Sequence, residues 1–495
     1  MHHWLERIMY LYVNKCKSRL FDKEHDDRLI TELLWGDRVE IIKEDGEDVQ
    51  CTARGKPGWV KRADLGETGL LEIYIIDVMQ GDSVLIRTPD DKWHMIDGGI
   101  ENSAQQYPQK GASNFLRWKF RDDLGRETVS LENVILTHPD YDHFGGIINV
   151  FTGDPGDGRP FPVTVNNFYH SGVGKFKESP KTGKTVKGKC AQFPWGNHGI
   201  SQKGTFIVEL LDGRDSFGNP KRQFEDNFGR FANLVSSVPK NVRSLSHKDL
   251  FLPGYGLGEN DCAIRVLGPV METTDDGDAG LRDYGDDSPT VNGNSVVLRL
   301  DYGNARILLT GDLNAKSEKL LLSYVDNTEF AADVMKASHH GSDDVDNDFL
   351  MAVKARAAVI SSGDNEPYAH PRPLVMGAIG RFGRTSLNLK GETYSPLIYS
   401  TEVARSVKQE PASGVKVKEP GEPDEKFRNI RLADSSVTAK SWDEKYHLLS
   451  KVNIATGLVY GLVNIRTDGR FILCATMRET GKSFDYYTFQ AGVDA

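Results

Sequence analysis

The chain has 495 residues, and its 71 acidic against 61 basic side chains give a net charge of −10. Hydrophobic residues make up 38% and charged residues 27%, a globular composition that excludes a disordered chain. The acidic balance also excludes a uniformly basic nucleic-acid-binding surface, and leaves room only for a local basic groove.

Five scattered cysteines, none of them in a Cys-x-x-Cys pair, exclude a disulfide framework and a cysteine-rich zinc module. Residues 1–7 include an acid and lack the apolar stretch of a secretory signal. No apolar run approaches the roughly 18–20 residues that span a bilayer. We therefore expect a cytoplasmic protein without membrane contact.

Residues 1–67 are predicted to form a first, small β-domain, with strands at 8–13, 36–42, 49–54 and 58–61. Short strands separated by turns at this spacing are typical of a small barrel. The pattern Gly-Asp-Arg-Val followed by Gly-Trp-Val resembles bacterial SH3-like domains. The resemblance implies binding of a protein or peptide partner. An inert packing domain is an equally good interpretation.

Residues 68–495 are predicted to form a second domain of α/β class, in which strands and helices are mixed along the chain. Strands are expected at 71–78, 83–87, 93–97, 134–136, 263–267, 295–300, 305–309, 333–336, 357–360, 457–465 and 470–474. Helices are expected at 113–121, 224–238 and 315–324. A lysine- and glycine-rich segment near 152–260 and a charged, proline-rich segment near 403–445 are predicted to be insertions.

The strongest chemical signal is a cluster of four potential metal ligands directly after a buried strand: His138, Asp140, Asp142 and His143. Residues two apart in an extended loop point to one side, so His138 and Asp140 face one point while the next pair faces another. Two neighbouring points fit a two-metal centre. Imidazole and carboxylate ligands suit zinc, manganese or iron(II). A lone His-x-Asp would favour a solvated helix N-cap instead.

Further candidates follow other predicted strands. Asp97 and Asp312 each end an apolar strand beside glycine, as turn residues or ligands, and Asp312 is well placed to bridge two cations. Of the adjacent His339 and His340, we expect one to bind metal and the other to contact a ligand or the substrate. His370 follows a later strand and is a candidate to bind substrate or protonate a leaving group, against a plain surface-loop role. Asp142, His340 and His370 are thus the catalytic candidates.

In this order, the motifs resemble the metallo-β-lactamase superfamily, and in particular the hydrolase domain of ComEC-type competence proteins. The matching stretches are 77–83, 96–99, 137–146, 294–298, 309–312, 339–342 and 370–371. The resemblance implies a four-layer αββα metallo-β-lactamase sandwich, here preceded by the small SH3-like β-barrel. It also implies two divalent metal ions, Zn²⁺ or Mn²⁺, at one edge between the sheets. Asp140 stands where the commoner pattern has histidine, which makes manganese a serious competitor to zinc.

The resemblance also implies a distribution of ligands. It assigns one metal to His138, Asp140 and Asp312. It assigns the other metal to Asp142, His143, Asp312 and either His339 or His340. Asp97 is expected to be a weak ligand or a support for one. A histidine of the usual third motif is not evident, and His170 and Asn294 are the two alternatives.

Lysines crowd one stretch of the first predicted insertion, namely Lys175, Lys177, Lys181, Lys184, Lys187 and Lys189. They are interpreted either as a track for a phosphate backbone or as a solvated loop. Lys175, Lys177, Asn294 and Ser342 are the candidates for substrate contact. The predicted function is a metal-dependent phosphodiesterase or nuclease with DNA or another phosphodiester as substrate. The alternatives are a small-ester hydrolase (phosphocholine ester, lactone or thioester) and an inactive partner-binding scaffold.

Overall fold

The computed structural model describes residues 9–105, 107, 110–156, 158–189, 203–363, 370–388, 390–401, 415–417, 426–428, 461–477 and 481–492. Across these ranges, every helix is too short or too polar to cross a membrane.

Eight α-helices are found in the described residues: α1 Ala112–Arg117, α2 Tyr141–Thr152, α3 Arg214–Phe217, α4 Asp226–Val235, α5 Asp287–Gly293, α6 Ala315–Tyr324, α7 Asn347–Val353 and α8 Pro373–Phe382. A π-helical turn, Trp118–Asp123, continues α1, so the helix predicted at 113–121 is not a single regular α-helix.

The same residues contain 30 strands, numbered in chain order. The first fifteen are β1 Met9–Val13, β2 Lys17–Asp22, β3 Arg28–Leu34, β4 Arg38–Asp45, β5 Asp48–Ala53, β6 Lys56–Lys61, β7 Leu65–Gly66, β8 Leu71–Ile75, β9 Val84–Arg87, β10 Trp93–Ile96, β11 Val129–Leu136, β12 Val163–His170, β13 Thr185–Lys189, β14 Lys203–Ile207 and β15 Asn241–Ser244. The others are β16 Cys262–Gly268, β17 Met271–Thr273, β18 Ala279–Asp283, β19 Val297–Tyr302, β20 Ala305–Leu309, β21 Val334–Lys336, β22 Ala357–Ile360, β23 Ser386–Leu387, β24 Thr393–Tyr394, β25 Leu397–Ser400, β26 Val415–Val417, β27 Lys426–Arg428, β28 Val463–Thr467, β29 Phe471–Met477 and β30 Phe484–Gln490.

The amino-terminal strands form a seven-stranded antiparallel sheet in the order β3-β2-β6-β5-β4-β1-β7. Its buried side chains, among them Val39, Val49 and Val60, form a core of their own. Alternation of buried and exposed residues along β5 is the pattern of a sheet with one covered face. The pairings establish this sheet but not its closure, so the SH3-like barrel stays a prediction.

Two larger sheets form the centre of the remaining chain. One has nine strands in the order β15-β12-β11-β10-β9-β8-β28-β29-β30, and the other has six in the order β16-β19-β20-β21-β22-β25. Their inner faces share one apolar cluster. Helices α1, α2 and α4 pack on the outer face of the nine-stranded sheet, and α6, α7 and α8 pack on the outer face of the other. The layers are therefore helix, sheet, sheet and helix, and the predicted α/β class is confirmed.

Parallel strands at the middle of each sheet determine where the candidate ligands lie. β10, β11 and β12 run parallel in one sheet, as do β20, β21 and β22 in the other. Strands buried on both faces are almost wholly apolar, as in the sequence Ala-Ala-Val-Ile of β22. The loops that follow their carboxyl ends meet at one edge of the sandwich, which is where open α/β sheets present their binding residues.

The segment near 152–260 is not one continuous insertion. β12 and β15 belong to the nine-stranded sheet, whereas β13 and β14 join β17 and β18 in a separate four-stranded sheet. Neither β12 nor β15 was predicted from the sequence, because their neighbours in the sequence are polar and rich in glycine. The segment near 403–445 lies largely outside the described residues. Its described part is the antiparallel pair of β26 and β27.

A buried charged network joins the amino-terminal sheet to the nine-stranded sheet. The Arg466 side chain, 1% exposed, contacts Asp37 at 2.7 Å and donates to the carbonyl of Trp35 at 2.7 Å. Asp37 also pairs with Arg54 at 2.6 Å. Breaking such a pair would leave an uncompensated buried charge, which strongly disfavours separation of the two sheets.

Candidate metal centre

The first ligand motif lies where β11 ends and α2 begins. Asp140 is the N-cap residue of α2, so the helix starts immediately after it. The loop after β10 packs tightly against α2, because Gly98 donates to the His143 carbonyl at 2.7 Å. A Cβ on Gly146 would lie only 1.9 Å from the Gly98 carbonyl oxygen. The glycines of both motifs are therefore needed to bring the Asp97 loop beside His143.

Three imidazoles converge on one carboxylate oxygen. Asp312 Oδ2 lies 3.1 Å from His340 Nε2, 3.3 Å from His143 Nε2 and 4.0 Å from His138 Nε2. The ligand atoms of His138, His143 and Asp312 all lie within 4.8 Å of one another, as do those of Asp142, His143 and His340. The structure thus brings together the predicted His138, Asp142, His143 and Asp312, with Asp312 at the centre.

The opposite nitrogen of each ring is held by a neighbour. His143 Nδ1 lies 2.8 Å from Asp97 Oδ2, and His340 Nδ1 lies 3.0 Å from the Ser361 carbonyl. His138 Nδ1 lies 3.0 Å from Thr137 Oγ1 and 3.2 Å from Ser295 Oγ. Such contacts fix ring orientation and tautomer, as they do for metal-binding histidines.

Asp97 contacts the candidate ligand His143, and the two residues also form a further possible ligand group with Asp82. Asp97 Oδ1 accepts the Thr137 backbone N–H at 2.8 Å, and its Oδ2 accepts the Thr137 hydroxyl at 2.6 Å besides contacting His143. Both oxygens are therefore engaged. Of the two interpretations left open by the sequence, the supporting role fits this geometry.

The remaining carboxylates lie at the solvent side of the cluster. Asp142 is 23% exposed, accepts from Gln80 Nε2 at 3.0 Å and lies 3.5 Å from His340 Nε2. Asp140 Oδ2 lies 3.7 Å from His138 Nε2, while its other oxygen contacts the Lys175 ammonium. One oxygen of Asp140 thus remains directed towards His138.

The electrostatics favour protons or cations at the centre. Burial alone would lower the pKa of His143 and His340, because it disfavours a charged ring. Asp312 beside both rings, with Asp97 at His143 and Asp82 at His340, instead holds both pKa values well above their usual range. Burial raises the pKa of Asp312, yet the same two histidines bring it well below its usual value.

Asp82 and Lys336 are members of this site that the sequence did not single out. Asp82, 2% exposed, forms a buried ion pair with Lys336 and lies 3.4 Å from His340 Nδ1. Burial would lower the pKa of Lys336, but Asp82 and Asp312 raise it, so the ammonium stays charged. The only sequence signal was the position of Asp82 inside the motif at 77–83.

The histidine pair is resolved in favour of His340. His339 and His340 have φ values of 47° and 52°, and this left-handed turn directs His340 inwards. His339 instead lies beside Asn292 at 3.5 Å and near the His370 ring at 5.7 Å. Within the described residues, the possible ligand groups include His340 and not His339, so the geometry favours His340 of the two alternatives.

His370 lies at the rim, with its ring 6.5 Å from that of His340. Burial lowers the pKa of His370 to about 4, and His340 and His339 add to the shift. A neutral ring at pH 7 does not suit the predicted role of protonating a leaving group. His340 is equally unsuited to that role, because its Nε2 is directed at Asp312 and Asp142.

Four other predicted residues lie elsewhere. His170 Nδ1 accepts the Gly172 N–H at 3.1 Å, and its ring packs on Phe217. Asn294 donates to the Arg282 and Thr290 carbonyls. The asparagine that lies beside His339 is Asn292, at 3.5 Å. Ser342 Oγ accepts the Asp344 N–H at 3.3 Å. Lys177 pairs with Asp226 at 2.7 Å on the surface, so only Lys175 reaches the cluster among these two lysines.

The residues fit a divalent metal site. His138 Nε2, His143 Nε2, His340 Nε2 and Asp312 Oδ1 are buried and have no hydrogen-bond partner among the described residues. Buried polar atoms of this kind are costly unless a ligand pairs with them. Imidazole together with carboxylate is the donor set of zinc, manganese and iron(II).

Asp97→Asn is expected to weaken divalent metal binding about 10–100-fold, the usual cost of losing such a support. In one orientation, the new amide would place its NH₂ group against the His143 Nδ1–H, so that two donors face each other. In the other, the NH₂ group would face the Thr137 N–H and lose that hydrogen bond. In the first orientation, the ring would favour the tautomer whose Nε2 carries the proton and cannot bind metal. Competition with a chromophoric chelator measures the affinity, and the exposed Asp261→Asn should leave it unchanged.

Glu318 in α6 supports the loop that carries His340. It is fully buried, accepts from Ser338 Oγ at 3.1 Å and from the Asp346 N–H at 2.6 Å. Burial raises the pKa of Glu318 to about 8, against the lowering effect of these hydrogen bonds. The folded protein therefore keeps a proton that the unfolded chain releases above its ordinary carboxyl pKa.

Glu318→Gln is expected to gain stability relative to the wild type as the pH rises. Because the folded pKa is raised, the carboxyl costs stability progressively between about pH 4.5 and pH 8 at roughly 1.4 kcal/mol per pH unit. Between pH 5.5 and 7.5 the stability difference should shift by about 2–3 kcal/mol in favour of the variant. Urea denaturation at both values measures it. The same shift in the exposed Glu178→Gln would refute the assignment to burial.

One stretch of the chain is similar to a known protein family. Residues 76–152 match the family described as the Metallo-beta-lactamase superfamily. The matched stretch includes Asp82, Asp97 and the motif from His138 to His143, and ends before Asp312. Residues 76–152 are therefore similar to that superfamily, and the His and Asp groups described above could hold a metal ion.

The chain is also partly similar to competence proteins. It is 33% identical over 96 residues to ComE operon protein 3 of Bacillus subtilis (strain 168), covering 19% of this chain and 12% of that protein. It is 38% identical over 93 residues to Competence protein ComA of Neisseria gonorrhoeae, covering 19% and 13%. Recombination protein 2 of Haemophilus influenzae is 35% identical over 92 residues, covering 18% and 11%. The chain thus matches only about an eighth of the length of these relatives.

Solved structures give a looser likeness. The metal-dependent hydrolase Tm1679 of the beta-lactamase superfamily is 12% identical, with a TM-score of 0.33 over 67% of this chain and 96% of that one. Zn(2+)-bound PqqB from Methylobacterium extorquens is 8% identical, with a TM-score of 0.31 over 63% and 96%. This overlap is too loose to transfer the role of any residue.

Proposed function

We propose that this protein is a metal-dependent hydrolase that cleaves phosphodiesters, with DNA as the leading substrate and Zn²⁺ or Mn²⁺ as the metal. The observation that carries the proposal is the convergence of His138, His143 and His340 on Asp312. The ring atoms that meet there are buried and lack hydrogen-bond partners among the described residues. The partial similarity to Recombination protein 2 supports DNA as the substrate to test first, because recombination is a process of DNA.

The residues divide into those that hold cations and those that face the substrate. His138, His143, His340 and Asp312 would hold a divalent pair, with Asp140 and Asp142 at its solvent side. Bound divalent metal supplies an activated water at neutral pH and neutralises charge on the phosphoryl group. Asp142 accepts a hydrogen bond from Gln80 and is partly exposed, so its carboxylate is positioned to take a proton from an attacking water.

Lys175 supports an anionic substrate. Its ammonium contacts Asp140 at the rim and is 22% exposed, so a phosphate oxygen that approaches the metals also approaches this charge. In this proposal Lys175 pairs with Asp140 and also attracts the phosphate of the substrate. The amino-terminal sheet is the second part of the proposal, as a surface for a protein partner.

The test is a cleavage assay on purified protein supplied with Mn²⁺ or Zn²⁺. Single-stranded DNA, double-stranded DNA and a chromogenic phosphodiester are compared. We expect turnover of all three, lost in Asp142→Ala and kept in the exposed Asp261→Asn. Absence of phosphodiester turnover in protein that demonstrably holds metal would refute the proposal.

A small-ester hydrolase is the second candidate, because the surface lysines are partly neutralised. Lys177 pairs with Asp226 at 2.7 Å and Lys181 with Glu225 at 3.2 Å. Such pairs weaken a continuous track for a phosphate backbone. Turnover of a phosphocholine ester, lactone or thioester without DNA cleavage would favour this candidate. Failure to bind metal would favour an inactive scaffold.

A further inference from the structure

The Lys336 ammonium is a positive charge that lies among groups able to bind a metal ion. It ends β21, and its side chain reaches the metal-binding edge with 3% exposure. Its ammonium contacts Asp82, donates to the Gly311 carbonyl at 3.1 Å and lies 3.8 Å from Asp312 Oδ1. A permanent positive charge is therefore built into the cluster.

The groups around this ammonium form a ligand set. The ligand atoms of Asp82, Asp312 and His340 lie within 4.8 Å of one another, and all three residues are buried. Asp82 Oδ1 also lies 3.4 Å from His340 Nδ1. The carboxylates of Asp82 and Asp312 could hold a divalent ion here if Lys336 were absent, while His340 keeps its Nδ1–H directed at the Ser361 carbonyl. Asp82 and Lys336 carry opposite charges, and each compensates the cost of burying the other.

We propose that the Lys336 ammonium occupies a third cation position beside the metal pair, and thereby reserves Asp312 and His340 for that pair. This inference rests on the proposed metal centre, though not on its substrate. Lys336 compensates Asp82 so that no divalent ion is drawn to it. It acts as a positioning residue, since its contacts are with Asp82, Gly311 and Asp312 and not with a reacting atom.

The direct test is metal stoichiometry. Full-length protein is loaded with Zn²⁺, freed of excess metal and measured by elemental mass spectrometry. Lys336→Met, which keeps most of the length of the side chain without its charge, should retain one equivalent more than the wild type. The double variant Asp82→Asn with Lys336→Met removes a ligand as well, and should return to the wild-type number. An unchanged or lower number in Lys336→Met overturns the inference.

Two further variants keep the test decisive. Lys319→Met removes an ammonium whose side chain is 68% exposed, and should leave the metal number unchanged. Asp82→Asn leaves Lys336 without its carboxylate partner, so the ammonium should turn to Asp312 and weaken Zn²⁺ binding at least about 10-fold. If Lys336→Met does not fold, the Zn²⁺ affinity of Asp82→Asn is the test, and an affinity equal to that of the wild type overturns the inference.

The outcome is separable from that of the cleavage assay. A protein that hydrolyses no phosphodiester but gains a metal equivalent in Lys336→Met would refute the proposed function and support the role of Lys336. A protein that hydrolyses phosphodiesters with an unchanged metal number in that variant would do the reverse.

Discussion

Asp312→Asn is expected to lower divalent metal affinity by at least about 10²–10³-fold, more than the 10–100-fold that loss of a supporting contact costs. Asp312 Oδ2 lies within 3.3 Å of two imidazole nitrogens, so Asp312 would be a central ligand of the proposed metal centre. An amide of the same size supplies a neutral oxygen on one side only. Turnover should fall with metal occupancy, because the activated water depends on the cations.

Metal content after loading with Mn²⁺ or Zn²⁺ measures this effect directly, and circular dichroism establishes that the variant is folded. Asp276→Asn makes the same chemical change at an exposed position and should bind metal as the wild type does. Wild-type affinity in Asp312→Asn would mean that the three imidazoles bind metal without the Asp312 carboxylate. The arrangement inferred for the centre would then be wrong.

Much of the central fold follows from local sequence, because its strands are short apolar runs that remain buried on both faces. β20 and α6 lie where the pattern predicts them, at 305–309 and 315–324. β2 was not predicted, since its sequence contains few apolar residues in alternation. Its buried Ser18 is satisfied by a hydrogen bond from its hydroxyl to Asp64 at 2.7 Å, a contact distant in sequence. Local patterns cannot reveal such a strand.

The site shows the same division between local and distant information. His138, Asp142 and His143 share one loop and helix start, so their spacing alone predicts a metal motif. The choice between His339 and His340 depends on a left-handed turn that adjacent identical residues do not reveal. Asp82 lies just before β9 of the nine-stranded sheet, and Lys336 ends β21 of the six-stranded sheet. Each looks like an ordinary residue near a strand end until the fold brings them into contact. Long-range ion pairs are invisible to spacing arguments.

The amino-terminal sheet has a structural role besides any partner that it binds. Arg466 of β28 reaches across to Asp37 and to backbone carbonyls of the first sheet. Phe484 of β30 donates its N–H to Glu32 at 2.8 Å, which adds a second point of attachment. These contacts attach the amino-terminal sheet to the nine-stranded sheet at two separate points.

Binding of divalent metal is expected to release about two protons per chain near pH 7. Without a cation, Asp312, Asp97 and Asp82 hold the pKa of His143 and His340 well above the usual range. Both rings are then protonated at neutral pH and must give up a proton before their Nε2 atoms can bind metal. As long as the pH is below those raised pKa values, the metal affinity should therefore increase by roughly 100-fold for each unit by which the pH is raised.

Isothermal titration calorimetry in PIPES, HEPES and Tris at one pH counts these protons, because the observed heat varies with the ionisation enthalpy of the buffer. His340→Gln should release about one proton fewer, since one raised imidazole is gone. His25→Gln removes a largely exposed histidine far from the cluster and should release the wild-type number. A heat that does not depend on the buffer would contradict the pKa values inferred for both rings. The cluster would then bind metal with its imidazoles already neutral, so that the surrounding carboxylates would serve to compensate metal charge and not to retain protons.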